Sequence, residues 1–291
     1  WRSITDSKVV GPFQDNGLVS ETSSVREVHI IEGRPWKDAI ISVLEPESPY
    51  RPWHAPSRIE SGAAVIAVLD TDPQSVLTGV GIVGANGDLG DTIAAIKRPH
   101  INGLLELATL NMLADFMVRP MSGTVYPERP FDNIVATIGG YHLSTNDALF
   151  GHTTLAAGRV LLNSGGRCTG CGNQLELNGE DARDRVHIHT AVRAGEFAPE
   201  GSELASARPD WPATLCDSCH DRMREKGFTN FLDLKFALHP RCPSCGAQRS
   251  RSAAYGMLSS DAAERPWLAG MGCCVEEPRS RWACEACEHE W

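Results

Sequence analysis

Eight of the ten cysteines in this chain stand in four pairs of identical spacing: Cys168/Cys171, Cys216/Cys219, Cys242/Cys245 and Cys284/Cys287. A Cys-x-x-Cys turn presents two thiolates to one side, and two such turns supply the four soft ligands that a structural zinc takes at tetrahedral angles. Oxidised, the same spacing closes a strained, redox-type loop and seldom a structural staple. The spacing therefore predicts two structural Zn2+ ions. Sequential pairing joins the first two pairs to each other and the last two to each other. Crossed pairing, with 216/219 joined to 242/245, would also close a compact loop. Cys273 and Cys274 are adjacent in sequence, a poor arrangement for two ligands on one ion, and are left out of the ligand set.

The segment 168–226 carries a second pattern. CTGCG opens it, the apolar strand RVHIHT (185–190) brings two histidines, and LCDSCHDRMREKG closes it with a knuckle that starts a helix. This order resembles the HNH nuclease family in its four-cysteine, treble-clef form, over roughly a fifth of the chain. The resemblance implies that one zinc ties Cys168/Cys171 to Cys216/Cys219, which favours the sequential pairing. It also implies a ββα clasp around a catalytic divalent metal (Mg2+, Mn2+ or Ni2+). The chemistry would be phosphodiester hydrolysis, with a strand histidine as general base on water and a histidine on the metal. His220 matches the metal-binding position because CDSCH keeps the family's order. His187 or His189 would be the base; strand alternation puts both on one face, and His187 is preferred because Ile188 then continues the motif. The pattern departs at Val186, where an acid or histidine is usual, and at Trp211, where Asn is usual. Asp210, beside it, is the candidate replacement ligand or orienting group.

The last segment, RCPSCGAQRS and RWACEACEHEW, resembles a zinc ribbon, a stapling module that carries no functional information by itself. Before the cysteines, RPWHAPSRIESGAAVIAVLDTDPQSVLTGVGIVG (51–84) is similar to PUA-like folds, including the EVE branch that reads modified bases. That resemblance implies a pocket for a flipped base, with Trp36, Trp53 and His54 as its candidate lining. Both resemblances together imply a modification-dependent restriction endonuclease acting on DNA, with a homodimer as one open arrangement. The alternative is a catalytically silent, zinc-stapled nucleic-acid-binding or protein-interaction protein. Arg183, Arg185, Arg222 and Arg224 are the candidate phosphate contacts, although neighbouring Asp181, Asp184, Asp221 and Glu225 nearly neutralise each cluster.

These side chains need elements to position them. VREVHII (25–31) alternates as a strand, and PWKDAIISVL (35–44) has helical spacing behind Pro35. GAAVIAVLD (62–70) and VLTGVGIVG (76–84) read as two strands joined by the turn-rich TDPQS. Residues 101–118 and 146–163 read as helices, and 195–212 as a polar, Pro-rich loop. The expected class is α+β: a PUA-like, barrel-type domain over 1–144, an HNH-like treble-clef module over 145–230 and a zinc ribbon over 231–291. Gly79, Gly81 and Gly84 give the spacing of a dinucleotide fingerprint, but a turn follows them where a helix is required. No run approaches the length of a membrane span, and the start lacks a signal-peptide pattern, so a cytoplasmic protein without membrane contact is expected. The formal charge of −10 confines any nucleic-acid contact to local basic surface.

Overall fold

The computed structural model describes residues 28–55, 58–79, 81–84, 92–93, 96–97, 103–113, 117–119, 125–126, 146–193, 209–273 and 279–291. Most of the Pro-rich loop, Cys274 and the first residues of the chain lie outside them. The class is mixed α+β, with seven α-helices among the described residues.

The described residues of the N-terminal half form one nine-stranded mixed sheet with its helices. Its centre is the parallel pair of β1 (Val28–Gly33) and β3 (Ala64–Leu69). All of β3 is buried, as expected for a β-branched strand covered on both faces. Helix α1 (Trp36–Leu44) follows Pro35 and buries Ala39, Ile40 and Ile41. Short β2 (Trp53–His54) pairs with the far end of β1. The predicted hairpin is present, with its second arm split into β4 (Ser75–Leu77) and β5 (Gly81–Val83). These pair with the end and the start of β3 respectively, and Gly79, at φ +127°, supplies the step between them. The remaining members are β6 (Thr92–Ile93), β7 (Ile96–Lys97), β8 (Leu104–Glu106) and β9 (Val125–Tyr126). Among the described residues the sheet is open and does not close into the barrel expected from the sequence.

Two helical expectations change in detail. In the run 101–118, Leu104–Glu106 pairs with β4 before α2 (Leu107–Leu113) begins. An apolar run at a sheet edge fits either period, and here the edge wins for its first residues. The predicted helix at 146–163 is a 3₁₀ turn (Asn146–Leu149) followed by α3 (Thr154–Asn163). Gly151, at φ +131°, breaks it, and Thr153 restarts it by accepting the Ala156 N–H.

Helix α3 joins the halves. It packs against α1 and β8 on one side and on the module of the first four paired cysteines on the other. That module comprises α4 (Ala182–Arg185), β10 (Val186–His189), β11 (Ala213–Cys216), α5 (Asp217–Glu225) and α6 (Phe231–Leu238). The C-terminal sheet follows, with β12 (Ser250–Ala254) between β13 (Leu268–Gly270) and β14 (Trp282–Cys284), and with α7 (Ser260–Ala263) before β13.

Core packing is tightest at Gly33, where a Cβ would lie 2.6 Å from Leu69, 2.7 Å from Trp53 and 2.8 Å from Ala39. Gly33→Ala is expected to destabilise the chain by about 1–3 kcal/mol through overpacking. Urea unfolding checks it; an unchanged midpoint would show that the site relaxes freely.

Candidate functional site

The cysteines converge as two tetrads, Cys168/Cys171/Cys216/Cys219 and Cys242/Cys245/Cys284/Cys287, so the pairing is sequential. A tetrahedral zinc with bonds of about 2.3 Å requires sulfurs about 3.8 Å apart. The separations are 3.9 Å for Cys171–Cys216, 3.7 Å for Cys242–Cys287 and 3.6 Å for Cys245–Cys284. Both tetrads could therefore hold a structural zinc ion. In the first, a hydrogen bond from Cys219 pulls the Cys168 thiol down to about 4 and pushes Cys219 up. A divalent cation bound there would take the place of that shared proton. Lys235 Nζ braces the first knuckle by donating to the carbonyls of Thr169 (2.9 Å) and Gly170 (2.7 Å). The described part of Cys273 is an exposed thiol outside both tetrads.

The first tetrad fixes a small ββα unit. Antiparallel β10 and β11 register Val186 opposite Cys216 and His189 opposite Ala213, and α5 begins one residue after Cys216. His187 projects from β10 and His220 from the first turn of α5. Their rings stack with centroids 3.7 Å apart and planes 7° apart. Burial pushes His220 below its ordinary value, and the His187 ring adds to this. His187 Nε2 lies 2.8 Å from Asp217 Oδ1. The His187 bond, then Arg185, holds the Asp217 carboxyl below the usual range. An ionised Asp217 can only accept, so in the neutral imidazole the proton sits on Nε2 and the lone pair on Nδ1.

His189 forms a separate pair, with Nε2 2.8 Å from Asp210 Oδ2. The other Asp210 oxygen accepts the backbone N–H groups of Trp211 (2.7 Å) and Phe231 (2.8 Å). Asp210 thus ties the lead-in of β11 to the start of α6. Asp210→Ala would strand two backbone donors, at about 1–3 kcal/mol each. An overall loss of about 2–4 kcal/mol is expected in denaturant titrations, and a loss below 1 kcal/mol (about the worth of one ordinary hydrogen bond) would contradict the tether. Trp211 is buried edge-on between Phe150 and Trp267.

His187, His189 and His220 share a cleft of about 560 Å³ with Trp36, Lys37, Arg183 and Arg224. The cleft is therefore built from both halves of the chain. Lys37 holds the seam, donating to the carbonyls of Arg183 and Val186, and Tyr50 accepts the Arg183 N–H at 2.7 Å. Trp36 is half-buried in this cleft. Trp53 is wholly buried and donates its indole N–H to Ser42; it packs the core and lines no open pocket. His54 stands within the sheet, opposite Glu32 of β1 on one side and Thr92 of β6 on the other. Arg183 faces Asp38 at 3.5 Å, and Arg185 is surrounded by Glu176, Asp181 and Asp217. Arg222 and Arg224 are exposed on α5 without such partners among the described residues.

A catalytic cation is a different matter. Among the described residues only the two tetrads bring three or more His, Cys, Asp or Glu ligand atoms within 4.8 Å of one another. Imidazole lone pairs lie in the ring plane, so parallel stacked rings aim theirs along parallel planes and cannot converge on one ion. As placed, these side chains do not fit a protein-held catalytic metal.

Asp217, Lys37 and Lys235 were not among the residues singled out from the sequence. Asp217 carried a signal, an acid in the first turn of the helix that bears His220. Compared with protein-family models, curated proteins and solved structures, the chain matches none.

Proposed function

We propose that this chain is an HNH-type endonuclease that hydrolyses phosphodiester bonds in DNA. The observation that carries the reading is His187: it sits on the strand of a zinc-framed ββα unit, lines an open cleft and is oriented by an ionised carboxylate. With Nε2–H held by Asp217, Nδ1 can take a proton from water as its oxygen attacks phosphorus. One P–O bond forms, the other breaks, and the leaving oxygen acquires a proton from solvent. Arg224, exposed at the cleft, is the cation placed to meet a phosphate. Trp36, at the same cleft, could meet a base.

One specific observation favours a second reading. The close His187–His220 stack, with no third cluster of metal-ligating atoms among the described residues, suits a zinc-stapled binding module without catalysis. Incubating the zinc-loaded chain with methylated and unmethylated plasmid, in Mg2+, Mn2+ or Ni2+ and in chelator-free buffer, separates the two. Cleavage that disappears in His187→Ala, with two zincs retained, supports the nuclease. Binding without cleavage of any substrate supports the module.

A further inference from the structure

A second cavity, of about 290 Å³, lies behind the first cysteine tetrad, between α3, α6 and the turn before β13. Three cations line it, Arg167, Lys235 and Arg265, and no carboxylate does among the described residues. In a chain of formal charge −10 such a cavity is not a sample of average surface. Its walls are Trp211 and Trp267, packed edge to face at 5.5 Å, and the Asn146 and Asn163 positions add neutral polar groups.

The cations are not equivalent. Lys235 is committed: it donates to both knuckle carbonyls, lies 5.6 Å from the Trp267 ring and faces the negative charge of the tetrad. Among the described residues the Arg167 guanidinium reaches only the Gly172 carbonyl, at 3.4 Å. Arg265 has no hydrogen bond or ion pair from its guanidinium among the described residues, and its positive charge opposes that of Lys235. Two arginines therefore line a partly open cavity beside a half-buried ammonium. Like charges gathered around a cavity are held at an energetic penalty that a bound anion would remove. Guanidinium forks match the oxygens of a phosphate in pairs, and the volume is close to the lower end, about 300 Å³, of small-molecule sites.

We infer that this cavity is a phosphate-binding site, with Arg265 and Arg167 as the recognising residues and the Trp267 wall beside them. The phosphate could arrive on a mononucleotide or as part of a nucleic-acid backbone. The site is distinct from the histidine cleft and does not depend on the nuclease reading.

Calorimetric titration of the full zinc-loaded chain with inorganic phosphate, dAMP and a short DNA duplex tests this. The expected result is saturable binding of phosphate or dAMP, weakened roughly tenfold or more in Arg265→Gln by loss of a charge-assisted contact. If only the duplex binds, and Arg265→Gln weakens it, the phosphate belongs to a backbone. Arg167→Gln gives a second variant, placed on the exposed rim, should Arg265→Gln fold poorly. The inference is overturned if none of the three probes binds, or if neither arginine variant changes the affinity of the probe that does.

Discussion

Cys219→Ser is expected to remove one of two zinc ions and to unfold the module that carries the histidines. Cys219 is buried, belongs to the first tetrad and sits on α5 one residue before His220. A tetrad takes its ligands from two distant parts of the chain, here 168–171 and 216–219. In sites of this kind metal-binding energy is largely folding energy, on the order of 10–16 kcal/mol for small zinc modules at neutral pH. That is comparable to the entire stability of an ordinary domain, about 5–15 kcal/mol. The β10–β11 pair is only four residues long in each strand, too little to persist alone. The loss should reach α3, which packs against β10 and β11. Metal analysis should give two zincs per chain for the parent and one for Cys219→Ser, with circular dichroism reporting lost helix. Cys284→Ser should also give one zinc but melt the β12–β14 sheet and spare the histidine stack. Fewer than two zincs in the carefully purified parent would sink the two-site arrangement.

The metal frame was legible because ligand spacing is a local property. Each knuckle is set by two residues on one turn, and four such turns announce themselves without any tertiary knowledge. The strand at 186–189 and the helix after Cys216 were legible for the same reason: alternation and a knuckle-to-helix order are local. What lay beyond the sequence was contact between distant segments. Nothing in the string shows that Lys37 reaches the Val186 carbonyl, 149 positions on, or that Asp217 and His187, 30 positions apart, are hydrogen-bonded. The two histidines of VHIH look alike in sequence, yet one pairs with Asp217 and the other with Asp210. Trp53 reads as a pocket aromatic and is core, because the close approach at Gly33 brings α1 and β3 onto its ring. The leucines at 104–105 were read as helix because an apolar run does not reveal that a sheet edge stands beside it.

The histidine–carboxylate pair yields the other large effect. If the chain cleaves DNA, Asp217→Asn should lower the cleavage rate by about 10²- to 10⁴-fold, the range that general-base catalysis supplies, and His187→Ala should match it. The amide keeps the shape of the carboxylate, so zinc content and thermal stability should be nearly unchanged. What it loses is charge and tautomer control. An amide NH2 can donate to Nε2, shifting the ring proton to Nδ1 and removing the lone pair that would accept a proton from water. The Arg185 side chain, 3.3 Å from Asp217 and also beside Glu176 and Asp181, retains acidic partners in the variant, so its arrangement should hold. A merely structural role for Asp217 predicts the opposite pattern: lower stability, with cleavage per folded molecule preserved. Single-turnover rates at saturating DNA, set beside melting temperatures of the same preparations, separate the two. Equal rates for Asp217→Asn and the parent would remove His187 as the base. His189, held by Asp210 in the same cleft, would then be the histidine left to take the proton.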